Sequence, residues 1–213
     1  MPLNHKDTET QRHRKGENSK SSLNPRVSMS PCPDVVVLGI DPGLATTGWG
    51  IVRQVKSDYE MIAFGAIETS SAMQLPDRLL FLHLELKRII AEHHPQAVAM
   101  EELFFTKYAK SISGTAQARG AIVLTCIAEK LTISEYNPRS VKMAMTGFGS
   151  AQKPQMQSMV QRFFKLKEIP KPDDAADALA IALCHFHTLS NMIVSKEIAP
   201  GLQKALAALG VTV

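Results

Sequence analysis

Val35-Val36-Val37-Leu38-Gly39-Ile40 is an apolar, β-branched run that stops at Asp41-Pro42-Gly43. A short continuous run of this kind reads as a strand buried on both faces, and Asp-Pro-Gly turns the chain as it leaves the sheet. A carboxylate thus stands where a central strand runs out. Working outward, residues 48–53 and 61–68 supply two further strands at hairpin distance and predict an antiparallel meander of three. Leu79, Leu82, Leu86, Ile89 and Ile90 then recur at helical spacing within residues 76–94, and Pro95 ends that helix. Residues 97–100 form a fourth, buried strand leading into Glu101 and Glu102. A helix over 109–130 follows, with Gly114 and Gly120 read as sites of close packing, and then a fifth strand over 132–136. Three helical stretches, 138–145, 154–165 and 174–187, complete the pattern. Strands first and strand-helix alternation afterwards predict an α/β fold with a mixed five-stranded sheet flanked by helices.

The 213 residues fit one α/β domain or two very small ones, and 45% hydrophobic against 21% charged is the balance of a globular chain. No apolar run approaches the roughly 20 residues that cross a bilayer, so no membrane association is expected. Cys32, Cys126 and Cys184 are few and widely spaced, against a disulfide framework or zinc knuckle, and fit a reducing cytoplasm. Residues 1–33, rich in Ser, Asn, Pro and charge, read as a disordered basic extension, 34–189 as the folded domain, and 190–213 as a tail or short helix. The net charge of +4 conceals a sharp division. Residues 34–102 carry five basic against ten acidic side chains; residues 103–171 carry eleven basic against three acidic. A cationic surface that grips a polyanion, beside a separate carboxylate cluster, accounts for this layout. A lysine-rich solvated face accounts for the cations alone.

The acidic cluster is drawn from three elements. Asp41 ends the first strand and Glu101 the fourth, and adjacent parallel strands ending together bring the two within metal-binding reach. Asp173-Asp174-Ala175-Ala176-Asp177 opens a helix whose continuation, Ala178-Leu179-Ala180-Ile181-Ala182-Leu183, demands burial. Asp174 and Asp177 project from one helical face, a turn apart, while Asp173 reads as an N-cap. Oxygen donors without a His/Cys set select a hard divalent cation such as Mg²⁺. Two such ions, about 3.5–4 Å apart, activate water on one side of a phosphodiester and stabilise the leaving oxygen on the other. Each signal alone has an ordinary reading as a turn, a solvated glutamate or a cap. Their coincidence at strand and helix ends, beside a basic segment, points to a metal-dependent phosphodiesterase.

Five motifs resemble, in order and spacing, the RuvC family of bacterial Holliday-junction resolvases: Gly39-Ile40-Asp41-Pro42-Gly43, Glu101-Glu102-Leu103-Phe104-Phe105, Gln117-Ala118-Arg119-Gly120, Gly147-Phe148-Gly149-Ser150-Ala151-Gln152-Lys153 and Asp174-Ala175-Ala176-Asp177-Ala178-Leu179-Ala180. The resemblance spans roughly residues 35–188. It implies a ribonuclease H-like fold, a homodimer, and Mg²⁺-dependent cleavage of two like-polarity strands of a four-way DNA junction in recombination and repair. Two ions per subunit are implied, with Mn²⁺ as a substitute. Asp41, Glu101, Asp174 and Asp177 would be the metal-binding catalytic tetrad. Phe104 would press on junction bases, and Lys107, Lys142 and Lys153 would meet phosphates. The resemblance also implies the RuvA and RuvB branch-migration complex as partner. Glu102 stands where the family commonly has glutamine, and Pro154 follows Lys153 directly, stiffening that loop or opening the next helix. The helix over 109–130, with small residues Ala116, Ala118, Gly120 and Ala121, is the candidate dimer interface, and packing within the monomer is the competing use of those residues. Rival readings are a ribonuclease H-like nuclease acting on an RNA precursor, an actin-like phosphotransferase, whose two lobes need a longer chain, and a noncatalytic junction binder, which leaves four carboxylates without a purpose.

Overall fold

Val37, Leu38 and Ile40 are wholly without solvent exposure, which places the opening apolar run at the centre of the sheet. The computed structural model describes residues 34–56, 58–103 and 109–189, with side chains of the last stretch described from residue 113. Phe104, Phe105 and Lys107, and the segments 1–33 and 190–213, lie outside the described residues. The strands are β1 (Val36–Asp41), β2 (Thr46–Val55), β3 (Asp58–Glu68), β4 (Ala97–Glu101) and β5 (Thr132–Tyr136). The helices are α1 (Leu75–His93), α2 (Ala109–Ala128), α3 (Pro138–Thr146), α4 (Lys153–Phe163) and α5 (residues 173–189). Among the described residues, no helix is long and apolar enough to cross a membrane. Cys126 and Cys184 are buried free thiols.

The sheet order is β3-β2-β1-β4-β5. The first three strands form the antiparallel meander, and β4 and β5 add to β1 in parallel. Helices cover both faces. Leu38, Ile40, Ile51, Val98 and Met100 pack with Leu82, Leu86 and Ile89 of α1 and Ile122 of α2. Val37, Val52 and Ala99 pack with Val141, Met156, Val160 and the apolar side of α5. Side chains along a strand alternate between faces, so Val37, Gly39 and Asp41 of β1, and Ala99 and Glu101 of β4, all belong to the α5 side.

Helix boundaries follow local chemistry. Pro76 lies in the first turn of α1, and His94 closes it in the left-handed conformation, donating its N–H to the Ile90 carbonyl. Asn137 caps α3 by accepting the Ser140 N–H at 2.8 Å, and Gly147 closes the helix at φ 77°. Pro154 opens α4. Two expectations change. A Cβ on Gly120 would meet nothing within 4 Å, so that glycine marks no close packing. Asp173 is the first residue of α5, and its carboxylate faces Lys153 at 3.5 Å. Asp173 therefore stands one position inside the helix, where the N-cap site is the preceding Pro172.

Candidate active site

The parallel pairing of β1 with β4 aligns Ile40 with Met100. One residue further, Asp41 and Glu101 end neighbouring strands on the same face. What brings α5 over them is the absence of side chains beneath it. A Cβ on Gly39 would stand 2.0 Å from the Ala178 carbonyl oxygen, and one on Gly48 2.0 Å from that of Asp174. The helix backbone therefore lies directly on β1 and β2, with its first turn above the strand ends. Asp174 and Asp177 reach the same place.

The electrostatics record the meeting of these groups. Burial, then the carboxylates of Glu101, Asp177 and Asp174, push the Asp41 carboxyl up to about 8, against a smaller opposing pull from Lys153. Glu101 is raised by burial and by Asp177, with Lys142 acting against the shift. Asp177 is also raised by burial; Lys153 opposes this, and Asp174 and Asp173 add to it. Lys153 is 3.3 Å from Asp177, and burial of its ammonium is outweighed by Asp177 and Asp173, which hold its pKa above the ordinary value. A cleft of ≈270 Å³ is lined by Glu101, Lys142, Lys153 and Asp177. A second, of ≈190 Å³, reaches Asp41, Glu101 and Arg119.

Among the described residues, no three His, Cys, Asp or Glu side chains converge closely enough to hold a metal ion as they stand. The carboxylates adjoin, with Asp177 turned to Lys153. The donor set nonetheless fits a hard divalent cation. The ligating atoms on offer are carboxylate oxygens, no His or Cys lines either cleft, and three of the acids are held above their normal range by burial and like charge, a strain that a cation among them relieves.

The structure distinguishes the two adjacent glutamates. Glu101 ends β4, half-buried among the acids, whereas Glu102 is exposed and donates its backbone N–H to the Tyr136 carbonyl. It also gives Arg119 a task that the sequence motif left open. The Arg119 guanidinium donates to the Glu101 carbonyl at 2.5 Å and pairs with Glu135 at 2.5 Å. Arg119 thereby clamps the ends of β4 and β5 and fixes the backbone from which Glu101 projects. A single arginine amid the small and apolar residues of α2 was the available signal. Phe104 and Lys107 lie outside the described residues, while Lys142 and Lys153 both face the carboxylates.

A mixed sheet of this order, with acids at the ends of its central parallel pair and a third acidic contribution from a helix laid over them, defines a ribonuclease H-like nuclease fold. The sequence model of the family described as "Crossover junction endodeoxyribonuclease RuvC" matches residues 37–185. The chain belongs to the RuvC family. A crossover junction endodeoxyribonuclease RuvC from Endomicrobium trichonymphae is 50% identical over 157 residues, covering 73% of this chain and 83% of that protein. Thermus thermophilus RuvC superimposes with a TM-score of 0.66 at 33% identity, over 71% of this chain and 93% of that one. The same protein in complex with a Holliday junction substrate gives 0.64 at 31% identity, over 71% and 92%.

Proposed function

We propose that this chain is a structure-selective endodeoxyribonuclease that resolves Holliday junctions by hydrolysing one phosphodiester in each of two like-polarity strands. The observation that carries the reading is the gathering of Asp41, Glu101, Asp174 and Asp177 at one end of the sheet, beside Lys142 and Lys153, in a chain of the RuvC family. The four acids would hold Mg²⁺, with Mn²⁺ as a substitute. Bound there, the cation supplies Lewis-acid polarisation of the phosphate and a water nucleophile of lowered pKa. Lys153, already at the acids' edge, lies where it can offset charge that develops on the phosphate, and Lys142 where it can hold a neighbouring phosphate. Arg119 keeps Glu101 in register with Asp41. Hydrolysis forms one bond from water oxygen to phosphorus as one bond to an ester oxygen breaks.

Paired cleavage needs two such sites, and a twofold axis relating two copies would match the symmetry of the substrate. The small residues of α2 do not all serve that purpose, since Ala118 is wholly buried within the chain's own core. The better candidate is a larger apolar face. His83 and Thr125 (2.8 Å) join α1 to α2, and Lys87 pairs with Glu129 (3.0 Å) just past the end of α2. Beside that seam, Leu80 and Leu84 are 56% and 53% exposed, and Leu124 and Ile127 70% and 58%. Four large aliphatic side chains left in water on two adjoining helices are the signature of a covered surface, and a second copy of the chain fits it.

The reading is tested on a synthetic mobile four-way junction with Mg²⁺. The purified protein is expected to cut the junction in paired fashion and to leave linear duplex intact. Asp177→Asn is expected to lower cutting at least 100-fold while junction binding persists. Equal cutting of junction and duplex would reject resolvase activity.

A further inference from the structure

Between the helices that carry Lys142 and Lys153, one ring stands out in solvent. Phe148 is 72% exposed, although burying a phenylalanine side chain is worth about 1.5–3 kcal/mol to a fold. Its backbone is nonetheless well held. The Thr146 hydroxyl accepts the Phe148 N–H at 3.1 Å and lies 3.0 Å from the Phe148 carbonyl and 2.8 Å from that of Lys142. The Ala151 N–H donates to the Phe148 carbonyl at 3.2 Å. Gly147, in the left-handed conformation, turns the chain out of α3. At Gly149 a Cβ would stand 2.7 Å from the Arg139 side chain, so a cationic residue is packed against the base of the loop. A groove of ≈700 Å³ runs beside the ring, past Thr146, Ser150 and Gln152.

We infer that Phe148 is a base-stacking residue that holds an unpaired or splayed base of junction DNA next to the phosphate to be cut. The inference rests on the function proposed above and deepens it. Three features single out DNA as the occupant. The backbone that carries the ring is held while the ring itself is left uncovered. Cations stand along the way from the ring to the acids, Arg139 packed against Gly149 and Lys142 and Lys153 lining the carboxylate cleft, and they complement the phosphates of a strand laid there. The loop runs directly into Lys153, at the start of α4 where that helix lines the carboxylate cleft, so a strand passing from the ring to the cleft brings consecutive nucleotides past both. Base–aromatic stacking tolerates any base because each has a π-face, so the contact would recognise unstacked geometry ahead of sequence.

The test is fluorescence anisotropy of a labelled four-way junction and a labelled duplex in EDTA, across a salt series, for the wild-type chain and for Phe148→Ala, Phe148→Leu and Phe148→Trp. Thermal melts establish that each variant folds. Removing a stacked ring is expected to weaken junction binding about tenfold or more in both the Ala and the Leu variants, with Trp near wild type. The slope of log affinity against log salt should be unchanged, because no phosphate contact is lost. Wild-type affinity in Phe148→Ala overturns the inference, as does wild-type affinity in Phe148→Leu, which would make the contact merely apolar. A changed oligomeric state of Phe148→Ala in light scattering also overturns it, assigning the ring to a second copy of the chain. Wild-type protein that binds junction and duplex alike, yet loses tenfold on removal of the ring, overturns the resolvase reading and leaves the stacking contact standing.

Discussion

Asp41 is placed where burial and like charge act together, and the sign of the resulting pH dependence can be worked out. Its carboxyl is pushed up to about 8 from an ordinary 3.8, so between those values the folded chain holds a proton that the unfolded chain has released. Stability without divalent cations therefore falls as pH rises through this window. Asp41→Asn removes the penalty. In EDTA at pH 8–9 the variant is expected to exceed wild type by at least about 1 kcal/mol, the worth of one pKa unit, with the gain vanishing near pH 4. Denaturant titrations at the two pH values measure it, and a gain that persists at pH 4 would mean that the charge is not its cause. The choice between Glu101 and Glu102 belongs to this scale too. Sequence alone showed two carboxylates after a strand, and only the residue at which β4 ends decides which of them shares the face of Asp41.

The elements convert these residues into a site, and the joint between α5 and the sheet is where packing is tightest. Gly48→Ala would drive a methyl group into the Asp174 carbonyl. It is expected to cost about 1–3 kcal/mol in chemical denaturation and, by lifting the first turn of α5, to reduce cutting further than the stability loss explains. Gly120→Ala is the counterpart, with open space around it on an exposed side of α2, and is expected to gain about 0.5–1 kcal/mol in the same titration. Much of this level was legible in the sequence. The buried run at β1, the meander, and helices punctuated by Pro95, Pro138 and Pro154 announce themselves through local chemistry. The opposite characters of Gly48 and Gly120 do not, because a glycine in a string of letters does not say what lies across from it. The task of Arg119 was hidden for the same reason: its partners, the Glu101 carbonyl and Glu135, are set by strand pairing.

At the scale of the whole molecule, the apolar face of α1 and α2 carries the prediction. A chain with Leu124→Glu and Ile127→Glu places two charges in the proposed interface and is expected to sediment as a monomer where wild type sediments as a dimer. On a four-way junction it should then produce single nicks in place of paired cuts. A doubly substituted chain that remains dimeric in analytical ultracentrifugation would move the interface elsewhere. A different consequence follows from the way the acids are distributed along the chain. Asp41 and Glu101 come early, but Asp174 and Asp177 arrive on α5, the last described helix, and the groove they settle into is formed by strands made long before. A polypeptide still emerging from the ribosome therefore carries half of the acid set and no competent site. On the proposed reading, a chain broken off before residue 174 lacks half of the carboxylates and would not cut DNA.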